Sequence, residues 1–181
     1  MNYMWLYIRL IETAVLLGLA LLSDIKTYKV KNAVTLSFIF IGAITNLCRD
    51  GTGGLFISLI GILIPVILFA PLYALRMLGA GDIKLFSAIG AVMGIRFISC
   101  VMAFSFLSGG VIALLLMLAR RNFRQRFSYF FQYLKHCYLT RSFQPYTSFE
   151  NRDGVNGFPF ALAVACGSII AYLTNFPGIT K

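Results

Sequence analysis

Apolar residues run along this chain in long blocks, and polar residues gather at the seams between them. Blocks at 4–22, 55–75, 97–119 and 158–176 reach the ~17–25 residues that a membrane-spanning helix needs, and a block at 33–48 falls just short. Between Lys84 and Arg96 lie only 11 residues, about 16 Å of helix, which is too little to cross a bilayer. A helix that begins near Gly79 instead crosses a locally thin bilayer, and it carries Asp82 about one turn inside, near one face. The expected fold is all-α, a polytopic bundle of about six transmembrane helices in a single integral-membrane domain, 1–181. Within it, Gly51–Gly54 reads as a tight turn, and Pro65 and Pro71 are expected to bend the third span. Pro159 opens the last span and Pro177 closes it. Gly90 and Gly94 form a Gly-x-x-x-Gly suited to helix packing. Arg9 and Glu12, three apart in the first block, are placed to neutralise each other.

Composition agrees with the pattern. The 181 residues are 59% hydrophobic and 12% charged, about half the charge of an ordinary soluble domain. That excludes a disordered chain, a disulfide-rich secreted module and a soluble nucleic-acid binder. The net charge of +10 would suggest nucleic acid on a soluble protein. Here the basic residues sit between apolar runs, so the implied partner is the lipid bilayer. The first 23 residues lack the basic n-region and the paired small residues of a signal peptide, and read as a retained span.

Lys and Arg are unevenly divided between the two sets of loops. Twelve fall on the side of Lys26, Lys29, Lys31, Arg76 and Lys84, together with the 120–157 segment; four (Arg9, Arg49, Arg96 and Lys181) fall on the other. By the positive-inside rule the first side is cytoplasmic, and Asp24 and Asp82 both lie at that face. The loop 120–157 is basic and amphipathic: Phe123, Phe127, Phe130, Phe131, Leu134 and Tyr138 recur at helical spacing. Such a helix lies in the membrane interface against anionic lipid, with a docking surface for a protein partner as the less common reading.

Few catalytic chemistries fit these residues. The cysteines, Cys48, Cys100, Cys137 and Cys166, are 52, 37 and 29 residues apart, and His136 is the single His. A zinc or thiol redox site therefore lacks ligands, and no metal or cofactor is expected. A His-Glu-x-x-His protease is excluded, and His136 has no Gly-x-Ser-x-Gly turn beside it. Lys84 and Ser87 are close in sequence, but nothing activates them as a Ser–Lys pair. Paired carboxylates ask for less. Of six acidic residues, Asp24 and Asp82 share one membrane face. Two aspartates at one site hold one proton between them: the ionised one takes a proton from water, and the neutral one hydrogen-bonds a scissile carbonyl. Gly79 and Gly81 flank this position in Gly79-Ala80-Gly81-Asp82, where missing side chains let extended backbone approach the carboxylate. Gly-x-Gly alone more often serves helix packing.

With these residues in view, the chain resembles the type IV prepilin peptidases, including the preflagellin peptidases. Gly79-Ala80-Gly81-Asp82-Ile83-Lys84-Leu85, continuing to Ala88, Gly90 and Gly94, resembles the Gly-x-Gly-Asp segment that bears the family's second aspartate. Asp24-Ile25-Lys26 with Val30-Lys31-Asn32 resembles its first-aspartate segment, and Gly157-Phe158-Pro159-Phe160-Ala161 up to Gly167 its last span. The resemblance implies an aspartic endopeptidase with Asp24 and Asp82 as catalytic residues. Its implied substrate is a pilin-like precursor, cut at the cytoplasmic membrane face between a short basic leader and one hydrophobic helix. Lys31 stands where the family usually has Pro. Nine residues, 24–32, separate the first two spans, leaving no room for the cysteine-bearing domain of the larger, N-methylating members. The resemblance is therefore to peptidase-only forms, like the short enzymes of Tad/Flp pili and of archaeal systems.

Two other readings of the same residues stand beside it. An ion-coupled transporter or channel subunit would use Asp24 and Asp82 as a relay, although relay acids more often sit near the bilayer midplane. A noncatalytic assembly factor would use them to cap helices, or to pair with Lys26 and Lys84.

Overall fold

The computed structural model describes residues 3–27, 31–75, 77–119 and 160–175, and every regular element among them is a helix. They are α1 (Tyr3–Thr27), α2 (Asn32–Asp50), α3 (Thr52–Ala74), α4 (Ala80–Met93), α5 (Ile95–Ala119) and α6 (Phe160–Asn175). The expected amphipathic segment at 120–157, and Pro159 and Pro177, lie outside the described residues. α1 runs five residues further than the apolar block, so Asp24 sits on the helix itself. α3 continues through both Pro65 and Pro71. The turn expected over Gly51–Gly54 contracts to Gly51, whose φ of 62° is a conformation glycine adopts without strain; the helix resumes at Thr52.

α4 is the centre of the bundle. Around it α1, α2, α3, α5 and α6 each touch the next in a closed ring, and α4 packs against α1, α2, α3 and α5. From Leu85 to Met93 every residue of α4 is buried. Helices alternate in direction, so one end of the bundle gathers the close of α1 and the openings of α2, α4 and α6.

α1 shows which solvent the fold is built for. Its buried stripe is Arg9, Thr13, Leu16, Ala20 and Asp24, whereas its outward stripe is Tyr7, Ile11, Val15, Leu19, Leu22 and Ile25. Polar groups inside and apolar side chains outside are the reverse of a water-soluble helix and suit a lipid surround. Four segments are long and apolar enough to cross a membrane: Met4–Lys26, Asn32–Asp50, Thr52–Ala74 and Ile95–Leu116. α4 and α6, with 14 and 16 residues, reach only about 21 and 24 Å against ~30 Å of hydrocarbon.

A helix that stops short inside the bundle leaves its last carbonyls without helical partners. For α4 the neighbours supply donors. Gly94 N–H donates to Gly90 O at 2.8 Å. Ser58 Oγ and Asn46 Nδ2 donate to Ala91 O at 2.9 and 2.8 Å, and Asn46 also reaches Ser58 Oγ at 2.8 Å. Val92 O accepts from Arg9 Nε at 2.7 Å and from Asn46 Nδ2 at 3.2 Å. The expected Arg9–Glu12 neutralisation takes a different form: Arg9 is drawn to α4, and Glu12 Oε1 instead accepts from Thr45 Oγ1 at 2.7 Å. A carbonyl at a helix end and a hydroxyl on α2 are within reach of these side chains, so Arg9 Nε and Glu12 Oε1 bond to other helices, while Glu12 Oε2 is buried without a hydrogen-bond partner among the described residues.

Glycines set how closely α4 is held. Gly61 of α3 and Gly90 of α4 lie backbone to backbone, and a Cβ on either would land on the other's carbonyl group. Gly42 of α2 faces Val92 less tightly but still closely, with a hypothetical Cβ 2.7 Å from Val92 Cγ2 and 2.8 Å from Val92 N. Of the predicted Gly-x-x-x-Gly pair, Gly90 does serve packing. Gly94 also faces α3, where a Cβ would lie 2.9 Å from Ile57 Cγ2, and its φ of 83° ends α4 and starts α5 one residue later. A turn that tight requires the left-handed region, so Gly94 is needed both for the turn and for the close approach to Ile57.

Candidate active site

Asp24 lies in the last turn of α1 and is 6% exposed. It is one i, i+4 step beyond Ala20 on the stripe that faces the bundle, so it points inward for the same reason that Leu16 and Ala20 do. Its Oδ2 accepts a 2.9 Å hydrogen bond from Ala161 N–H, in the first turn of α6. That N–H has no partner within its own helix, and an anion at a helix N-terminus is favoured by the dipole. The bond joins residues 137 apart in sequence and fixes the rotation of the Asp24 carboxylate.

Asp82 occupies the third position of α4. Gly79 caps that helix with extended backbone, φ −76° and ψ 146°, and its carbonyl accepts from Asp82 N–H at 3.1 Å and Ile83 N–H at 3.4 Å. The half-buried Asp82 side chain folds back over Gly79, where a Cβ would lie 3.1 Å from Oδ2. Gly79 has ordinary dihedral angles, so glycine is needed there for room. Gly81 is half-buried in the same turn. Gly79→Ala is accordingly expected to displace the carboxylate by a few tenths of an ångström. Thermal unfolding should hardly change, since one side-chain end must give way; the activity of the site should fall.

The structure brings both aspartates to one end of the bundle. Two contacts outside the carboxylates establish this. Lys84 Nζ donates to Asn32 Oδ1 at 3.0 Å, tying the start of α4 to the start of α2, so this Lys is directed to an amide. Beneath it, Phe86, one turn below Asp82, meets Phe160 edge-on with centroids 6.1 Å apart, and Phe160 precedes the Ala161 that holds Asp24. Phe69 and Phe106 complete a cluster of four rings, each pair adding about 0.5–1.5 kcal/mol to packing. This apolar floor joins α3, α4, α5 and α6 under the polar end.

Among the described residues no group of three His, Cys, Asp or Glu could hold a metal ion. Cys48 is exposed, Cys100 and Cys166 are half-buried, and all three are free thiols. The residues that sequence reasoning did not pair are Asn32 with Lys84, Ala161 with Asp24, and Asn46 and Ser58 with the far end of α4. Asn46 did carry a signal, being an amide in the middle of an apolar block, and such groups face the bundle interior.

The model of the type IV leader peptidase family matches residues 11–114, which include both aspartates and all of α2–α4. The chain belongs to that family. No curated protein and no solved structure matches it. Membership makes the protein a peptidase of the leader-peptidase kind, with a pilin-like precursor as the implied substrate, and accounts for a bundle whose helices can span a membrane. Within this leader peptidase the matched stretch starts in α1 and ends in α5; α6, which supplies the partner of Asp24, lies beyond it.

Proposed function

We propose that this leader peptidase is an aspartic endopeptidase that removes the short leader of a type IV pilin-like precursor at the cytoplasmic face of the cell membrane, without methylating the new N-terminus. The observation that carries the reading is that two helix-borne carboxylates, Asp24 and Asp82, lie at the same end of a bundle from a peptidase family. The excess of Lys and Arg on the same end favours the cytoplasmic side. Absence of a cysteine-bearing insertion between α1 and α2 favours cleavage without methylation.

In this mechanism one aspartate is ionised and the other protonated. The ionised carboxylate takes a proton from a water molecule as its oxygen bonds to the scissile carbonyl carbon. The protonated one gives its proton to the carbonyl oxygen, producing a neutral gem-diol. In collapse the aspartate that gave up its proton takes one from a gem-diol hydroxyl, the aspartic acid that had deprotonated water gives that proton to the leaving nitrogen, and the C–N bond breaks, restoring the starting protonation of the pair. No metal and no covalent intermediate takes part. Gly79 and Gly81 leave room for the extended cleavage segment beside Asp82.

A relay role in transport is the competing use of two acids at one end of the bundle, and one experiment separates the two. The purified protein in lipid vesicles is mixed with candidate precursors, with and without a chelator, and products are read by mass spectrometry. Loss of the leader, unaffected by chelator and without an added methyl group, is the expected result. Intact precursor throughout a genome's candidate set would sink the peptidase reading.

A further inference from the structure

Arg9 is a charged side chain in the interior of a membrane helix, 8% exposed, and the two-carboxylate mechanism makes no use of it. Such residues are rare because burial in lipid is costly, and they mark functional positions. Its Nε is spent on Val92 O, at the end of α4 opposite Asp82. Asn46 and Ser58 converge on the same turn, so donors from α1, α2 and α3 all grip one short helix by its carbonyl end. The Gly61–Gly90 and Gly42–Val92 contacts fix how near α4 stands to its neighbours, but smooth glycine faces resist sliding poorly. Directional hydrogen bonds at one end do resist it. α4 is a rigid rod from Val92 to Asp82, so whatever fixes the depth of one end fixes the other.

Resting on the proposed peptidase reading, we infer that Arg9, Asn46 and Ser58 are positioning residues for the reaction: they clamp the carbonyl end of α4 and so set the depth at which Asp82 meets Asp24 and the precursor. An unclamped α4 slips along its axis by up to one residue, about 1.5 Å, and a misplacement of that size costs on the order of 10²-fold in rate. Arg9→Lys keeps a donor and a positive charge at the helix C-terminus, whereas Arg9→Met keeps the bulk and loses both.

The test uses the full chain in lipid nanodiscs. Cleavage kinetics of wild type, Arg9→Met, Arg9→Lys and Asn46→Ala are measured per folded molecule. Spin labels on Lys26→Cys and Ala80→Cys, with the native cysteines replaced, report the distance from the end of α1 to the start of α4 in each background. The expected result is a displaced distance and a kcat lowered about tenfold or more in Arg9→Met and Asn46→Ala, with KM nearly unchanged. Arg9→Lys should restore both to near wild type. An unchanged distance in all variants overturns the clamp whatever the activity. A displaced distance with wild-type kcat overturns the positioning role. If wild type itself cuts no precursor, the reading of function has failed, and the distance alone decides whether the clamp exists.

Discussion

Asp24→Asn and Asp82→Asn are each expected to reduce precursor cleavage about 10³-fold or more while leaving the protein folded in the membrane. Asn keeps the size and a carbonyl oxygen but cannot accept a proton from water or share one across the pair. For Asp24 the oxygen matters separately, because Ala161 N–H at the start of α6 depends on it. Asp24→Asn preserves that acceptor. Asp24→Ala removes it and leaves a buried N–H unpaired, at a cost of about 1.5–3 kcal/mol, as for hydrogen bonds to charged groups. The two Asp24 variants therefore separate two roles of one side chain. An uncut precursor with wild-type unfolding in Asp24→Asn, beside a lowered unfolding transition in Asp24→Ala, is the pattern of a catalytic acid that also anchors a helix. Normal cleavage by Asp24→Asn would reduce Asp24 to a cap for α6 and remove the dyad. For Asp82 the corresponding check is Asp82→Asn beside Gly79→Ala: the first should abolish cleavage, and the second should weaken it by moving the same carboxylate.

Much of this was legible in the order of residues, for definite reasons. Apolar blocks give helices directly, since a backbone in lipid must satisfy its own hydrogen bonds. The Gly79 start for a fourth helix follows from counting between Lys84 and Arg96, and α4 does begin at Ala80 with Asp82 in its first turn. The sharing of one end by Asp24 and Asp82 follows from helices alternating in direction. What was not legible depends on long-range packing. Arg9 and Glu12 stand at a spacing that favours an ion pair on an isolated helix, but a carbonyl of α4 and a hydroxyl of α2 compete for them in the bundle. Gly90-x-x-x-Gly94 looks like a packing motif only, yet Gly94 is also a turn glycine, because the helix ends at Met93. The anchoring of Asp24 on α6 joins segments separated by more than a hundred residues, and no local pattern carries that information. Lys26 and Lys84 lie near the aspartates in sequence, yet Lys84 is turned toward Asn32.

The largest effect on stability is expected at the crossing of α3 and α4. Gly61→Ala and Gly90→Ala each place a Cβ on the partner's backbone carbonyl, and rigid backbone, unlike the tip of a side chain, has no rotamer into which it can withdraw. The helices must separate there, and each single substitution is expected to cost about 3 kcal/mol, the upper part of the range for overpacking. Separation is opposed on the far side by Gly42 against Val92, so α4 cannot simply shift toward α2. It must tilt or move along its axis, which strains the bonds from Arg9, Asn46 and Ser58 and carries Asp82 with it. Cleavage should therefore fall together with stability, unlike in Gly79→Ala, where the two separate. The two alanines share one contact, so the double variant should cost clearly less than the sum of the singles. Gly18→Ala and Gly110→Ala are the controls, because nothing lies within 4 Å of a Cβ at either position. There alanine only improves helix propensity, and the expected change is a gain of up to about 1 kcal/mol. Unfolding in mixed detergent micelles, followed by circular dichroism, reads all five variants. If Gly61→Ala and Gly90→Ala unfold like Gly18→Ala, the backbone contact between α3 and α4 is not what holds the central helix, and the placement of Asp82 must rest on its hydrogen-bonded end alone.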